Sequence, residues 1–170
     1  MSRILLADAS PHAQRMGGQI LREEGFEVET VADGDRAAER LIAFDPLVVV
    51  ADVQLPLKSG YDLSRLAKTA ADGVCVVLTL GARAGEPDSD RLRESGCDAT
   101  ISKPFEATAL IEVVKRLAAV AQAARAKRRP KVVVELDRER VEAAVTLALE
   151  AALPSLIQEI TERVLIALKK

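Results

Sequence analysis

The chain has 170 residues, enough for one ordinary domain of about 100 to 150 residues with an appendage and too few for a second full domain. Aromatics make up 2% of the sequence, so the core is expected to be aliphatic and no aromatic platform exists for stacking bases; a formal net charge of −2 gives no sign of nucleic-acid binding either. The first apolar run, Ile4 to Ala7, is too short for a signal peptide or a membrane span, which leads to the expectation of a cytoplasmic protein with no membrane contact.

That run reads as a buried strand ending at Asp8. Ser10-Pro11 then supplies a helix N-cap and a proline at the first helical position, with Met16, Ile20 and Leu21 as the apolar stripe and Gly25 as the stop. Glu27 to Val31 alternates and predicts a second strand, and Asp33-Gly34-Asp35 opens a helix carrying Ala37, Ala38, Leu41 and Ile42. The third strand is the most informative. Leu47-Val48-Val49-Val50-Ala51 runs without alternation into Asp52, as expected of a strand buried on both faces of a parallel sheet. Its acid then lies at the carboxyl end, where open α/β sheets bind their ligands. A loop from Pro56 to Gly60, a helix through Tyr61, Leu63, Leu66, Ala67 and Ala70, and a fourth strand from Val74 to Thr79 follow. Residues 80 to 96 are glycine-rich, with Leu92 the one large apolar residue of a short helix, and the approach to that helix is expected to be mobile. Cys97 to Ser102 predicts a fifth strand, and Lys103-Pro104-Phe105 leads into a helix with Leu110, Val113, Val114, Leu117, Val120 and Ala121 on one face. Five strands alternating with five helices specify a doubly wound parallel sheet. Cys75 and Cys97 lack metal-ligand spacing and read as buried free thiols, and His12 as a solvated first-turn residue; Asp33 and Asp35 read as loop and cap residues.

The boundaries that follow are a core domain at 1–124, a basic hinge at 125–131 holding Arg125, Lys127, Arg128, Arg129 and Lys131, and an amphipathic helical tail at 132–170. In the tail Asp137 is a candidate N-cap. Val141, Ala144, Val145, Ala148, Leu149 and Ala152 recur at helical spacing, as do Leu156, Ile157, Ile160, Val164 and Leu168 after Pro154. Two short helices cannot bury such stripes alone, so the tail is expected to form a homodimer. It is too short for a helix-turn-helix DNA reader, and no specific nucleic-acid partner is expected.

Asp8, Asp52, Thr79 and Lys103 each close or follow their own strand, so the fold brings them to one sheet edge. The set suits phosphoryl transfer onto a carboxylate: Asp52 accepts, Asp8 helps to hold a divalent cation, and Thr79 and Lys103 bind phosphoryl oxygens. Over roughly residues 3 to 124 the chain resembles the response-regulator receiver domains of two-component signalling. The resemblance rests on Ile4-Leu5-Leu6-Ala7-Asp8, on Asp52-Val53-Gln54-Leu55-Pro56 with Gly60 eight positions after the aspartate, on Thr79, and on Lys103-Pro104-Phe105. It implies a flavodoxin-like five-stranded sheet ordered 2-1-3-4-5 with a C-terminal helical extension. It further implies a histidine kinase or phosphotransfer protein as partner, and Mg²⁺ held by Asp8, Asp52 and the backbone carbonyl of Gln54. On this reading the protein is not an enzyme beyond Mg²⁺-dependent self-phosphorylation and dephosphorylation.

Three positions depart from the family pattern. Ala9 stands where a second, metal-binding acid is usual, Thr100 where an aromatic switch is usual, and Leu80 where a small residue usually follows Thr79. The first two favour an alternative: a pseudo-receiver scaffold that assembles without phosphorylation and keeps Lys103 only as the ion-pair partner of Asp52.

Overall fold

The computed structural model describes residues 2–71, 73–81 and 88–127, and in the C-terminal segment residues 145–147, 149–153, 157–158, 160–161 and 163–164. The chain divides into two compact units, Met1–Arg129 and Pro130–Lys170.

The first unit alternates strands and helices: β1 (Arg3–Ala7), α1 (Pro11–Glu23), β2 (Glu27–Val31), α2 (Gly34–Ala43), β3 (Val48–Asp52), α3 (Gly60–Ala70), β4 (Cys75–Leu80), α4 (Ser89–Ser95), β5 (Ala99–Ser102) and α5 (Ala107–Ala126). The five strands form one parallel sheet in the order β2-β1-β3-β4-β5, the flavodoxin-like arrangement. The unbroken apolar runs have a simple cause. Side chains alternate across a strand, and both faces of this sheet are covered. Leu5, Ala7, Val49, Ala51, Val76 and Leu78 point to the layer containing Leu41, Leu63 and Ala67, whereas Ile4, Leu6, Val48, Val50, Cys75 and Val77 point to the layer containing Leu21, Leu110, Val114 and Leu117. Each large side chain buried this fully contributes on the order of 1.5–3 kcal/mol.

Caps set the helix starts. Ser10 accepts from the amide of Ala13, Asp33 from Arg36, Ser59 from Asp62, and Asp88 from Asp90 and Arg91. One stripe differs from expectation: on α1 only Leu21 is buried with Gly17 and Gly18, while Met16 is 49% exposed. Gly17 lets α1 approach β1 closely. A Cβ at Gly17 would lie 3.0 Å from Leu6 Cδ2.

The end of α5 is hooked back onto the sheet's entry side. Arg125 donates to the carbonyl of Pro46 at 2.7 Å and pairs with Asp45 at 2.9 Å, so this expected hinge residue belongs to the helix. The expected mobile approach to α4, at 82–87, and most of the hinge lie outside the described residues. In the second unit Val145, Leu149, Ala152, Ile157, Ile160 and Val164 are helical and exposed; Val141, Ala144, Ala148, Leu156, Leu168 and Asp137 lie outside the described residues. Among the described residues no helix is long and apolar enough to cross a membrane.

Candidate functional site

Parallel strands end together, and four of them deliver the predicted residues to one edge. β1 leads into Asp8, β3 ends in Asp52, and β4 carries Thr79 directly opposite Asp52 in register. Lys103 follows β5, its amide donating to the carbonyl of Leu80 at 2.7 Å; the Lys103-Pro104 peptide is cis. All four predicted side chains therefore converge.

The geometry is that of one ammonium between two carboxylates. Lys103 Nζ donates to Asp8 Oδ2 at 2.6 Å and to Asp52 Oδ2. The remaining carboxylate oxygens accept backbone amides two residues on: Asp8 Oδ1 from Ser10 at 2.8 Å and Asp52 Oδ1 from Gln54 at 2.7 Å. These two turns were missed in the sequence, although an aspartate at a strand end followed by a loop is the signal for them. The Asp8, Asp52 and Lys103 side chains are 7%, 15% and 25% exposed, so the attraction is only partly screened. Burial alone lowers the basicity of Lys103, but hydrogen bonds and charge from Asp52 and Asp8 outweigh it, and the ammonium is held above the usual lysine range. Thr79 is buried, and its Oγ1 has no hydrogen-bond partner. A buried hydroxyl left this way costs free energy until an acceptor arrives.

The floor of the site is built by close backbone approach. A Cβ on Gly60 would lie 2.4 Å from the carbonyl oxygen of Asp52, and one on Gly34 would lie 1.9 Å from that of Lys58. Glycine at these positions brings α3 and α2 against the β3–α3 loop. Gly34 donates to Pro56 at 3.1 Å, and Lys58 donates to the same carbonyl at 2.8 Å across Leu57, whose φ is 68°. On the far side, Arg91 of α4 stacks over the ring of Tyr61 at 4.7 Å and donates to Ser59. His12, exposed on α1, lines a cavity of about 310 Å³ together with Leu6, Asp8, Met16, Thr79 and Phe105. Cys75 and Cys97 are free thiols.

This arrangement has known counterparts. A family model described as response regulator receiver domain matches residues 4–115. The chain belongs to that family.

Among curated proteins it is 34% identical over 113 residues to the DNA-binding response regulator MtrA of Mycolicibacterium smegmatis, covering 66% of this chain and 49% of that protein. It is 32% identical over 122 residues to the response regulator Rre1 of Synechocystis, covering 71% and 53%. The receiver thus spans about half the length of the curated relatives it matches. Among solved structures, the receiver domain of a signal transduction histidine kinase from Syntrophus aciditrophicus superposes with a TM-score of 0.64 at 27% identity, covering 80% of this chain and all of that one. The receiver domain of the sensor histidine kinase PA1611 from Pseudomonas aeruginosa, with magnesium in its active-site cleft, gives 0.62 at 25% identity, covering 69% and 98%. Receiver domains are in general signalling domains of two-component systems rather than enzymes, and in general they bind magnesium at this edge.

The residues of this receiver fit a divalent cation poorly. Asp8, Asp52 and the Gln54 carbonyl are the available ligands, the Lys103 ammonium between the two carboxylates already offsets one of their two charges, and Ala9 offers no oxygen from its side chain. Among the described residues no group of three or more His, Cys, Asp or Glu side chains comes together to hold a metal.

Proposed function

We propose that this receiver is a phosphorylation-controlled switch that accepts a phosphoryl group on Asp52 and signals through protein contacts of its C-terminal segment. The observation that carries the reading is the placement of Thr79: a buried hydroxyl without a partner, opposite Asp52 in register, beside a carboxylate already faced by an ammonium. The donor is a phosphohistidine of a histidine kinase or phosphotransfer protein in the cytoplasm. A carboxylate oxygen of Asp52 forms the new O–P bond as the donor's P–N bond breaks, its electron pair remaining on the imidazole nitrogen. Thr79 donates to a phosphoryl oxygen and Lys103 offsets the added negative charge.

Output through residues 132–170 by homodimerisation is supported by the exposed apolar side chains Val145, Leu149, Leu153, Ile157, Ile160 and Val164. The same exposed apolar side chains favour protein contact over DNA reading as the output of this segment, in contrast to the DNA-binding activity named for the mycobacterial relative.

The test is intact-mass measurement after incubation with a small-molecule phosphodonor. One added phosphate on the native chain, absent in Asp52→Asn, is expected; no phosphate on either overturns the switch. A second reading, a receiver-like scaffold that assembles without phosphorylation, is favoured by Ala9 and by Thr100, which is exposed on β5 where an aromatic switch would stand. It requires Asp52→Ala to leave assembly unchanged.

A further inference from the structure

We propose that Lys103 is the counter-cation of the Asp8–Asp52 pair in this receiver, which leaves no site for Mg²⁺, and that phosphoryl acceptance by Asp52 proceeds without a divalent ion. The phosphoryl-transfer half of this statement rests on the reading above; the metal-exclusion half does not.

The argument begins with oxygens. Two carboxylates supply four, and each accepts one hydrogen bond: the outer pair from the amides of Ser10 and Gln54, the inner pair from one ammonium. The amides fix the rotation of both carboxylates, so the inner oxygens converge on a point that Nζ occupies. A divalent ion at that point has to displace the ammonium or sit beside it. Displacement strips a partly buried cation of both its acceptors. Coexistence places three positive charges against two negative ones, where like charges about 4 Å apart repel strongly at reduced dielectric.

Position 9 decides which cation the site prefers. A carboxylate there would bring the count to three acids against one lysine, a local charge of −2 that favours a divalent ion. With Ala9, exposed at the mouth of the site, the count is two acids against one lysine and the local charge is −1. Mg²⁺ gives up its waters reluctantly and gains too little from one uncompensated charge. Lys103, in contrast, spends two of its three N–H donors on Asp8 and Asp52 and keeps one for an incoming phosphoryl oxygen.

Two measurements on the full chain test the proposal, using native protein, Ala9→Asp and Lys103→Met. The first is calorimetric titration with MgCl₂. No saturable binding is expected for the native chain up to about 10 mM, and Ala9→Asp gains binding at least about tenfold tighter. Lys103→Met, if folded, gains binding as well; Ala9→Asp, at an exposed position, serves even if that variant does not fold. The second is the rate of labelling by phosphoramidate in Mg²⁺ and in EDTA, read by intact mass. In that reaction Asp52 oxygen bonds to phosphorus and the P–N bond breaks, nitrogen keeping the electron pair and leaving as ammonia. Rates within about twofold in the two conditions are expected for the native chain. Saturable native binding below about 10 mM, or labelling slowed more than about twofold by EDTA, overturns the proposal. Absence of labelling in both conditions defeats instead the phosphoacceptor reading and the transfer half with it; the titration then decides the exclusion half, silence upholding it and binding overturning it.

Discussion

At the scale of single residues, Thr79 is the clearest case of a side chain placed for something other than stability. Its backbone serves the sheet, since Val53 donates to its carbonyl at 3.1 Å, but its hydroxyl is buried without a partner. Valine has nearly the same shape and no hydroxyl to leave unsatisfied. Thr79→Val is therefore expected to raise the resting protein's stability by about 1 kcal/mol, seen as a higher urea midpoint at unchanged slope, while slowing phosphate labelling of Asp52. A lower midpoint would mean that the hydroxyl is satisfied in solution. Lys103 is the opposite case, its ammonium joining Asp8 after β1 to Asp52 at the end of β3.

At the scale of elements, caps and hooks decide where the helices stop and start. Asp62, three residues after the Ser59 N-cap of α3, accepts from the Ser59 hydroxyl, and that bond, with lesser help from Arg65, holds its carboxyl below the ordinary range. A carboxyl with a lowered folded pKa adds stability that is present above its unfolded value of about 3.9 and is lost as pH falls through the folded value. Asp62→Asn should thus lower stability near neutrality, by no more than about 0.5 kcal/mol because the side chain is 40% exposed, and should match the native chain once the pH is below both values. Denaturation curves at pH 7 and in strong acid check this. The other end of the α/β unit depends on Arg125, which ties the last turn of α5 to Asp45 and Pro46. Arg125→Ala is expected to speed amide exchange in residues 122–126 by about tenfold while leaving β3 and β4 protected. Equal loss of protection in the strands would show that the hook supports the whole core.

At the scale of the whole molecule, the chain joins a receiver unit to a C-terminal unit whose described helical residues expose leucine, isoleucine and valine. Such side chains favour association, and the proposed homodimer places them in contact with a second copy. Leu149→Asp combined with Ile160→Asp is expected to turn a dimer into a monomer by light scattering, with the receiver's unfolding midpoint unchanged. If the native chain is already monomeric across micromolar concentrations, the segment serves a different partner.

The two covered faces of the sheet and the convergence of Asp8, Asp52, Thr79 and Lys103 were legible in the residues, whereas the order of strands came with the resemblance to receiver domains. An unbroken apolar strand requires cover on both faces, and the carboxyl ends of parallel strands lie at one edge of the sheet, where their last residues meet. Ala9 and Thr100 were legible too, as departures from a pattern that the neighbouring residues satisfy. What the sequence could not say was which partner each side chain takes once those ends meet. Periodicity reports which face a residue prefers. It does not report that Met16 yields its buried place to two glycines, because that depends on how closely α1 is drawn to β1. Nor does it report that Arg125, in a basic run, turns back to Asp45, or that one ammonium binds both carboxylates. Such pairings join residues 51 to 95 positions apart in the chain, so only the tertiary structure, which sets distance and burial, could decide them.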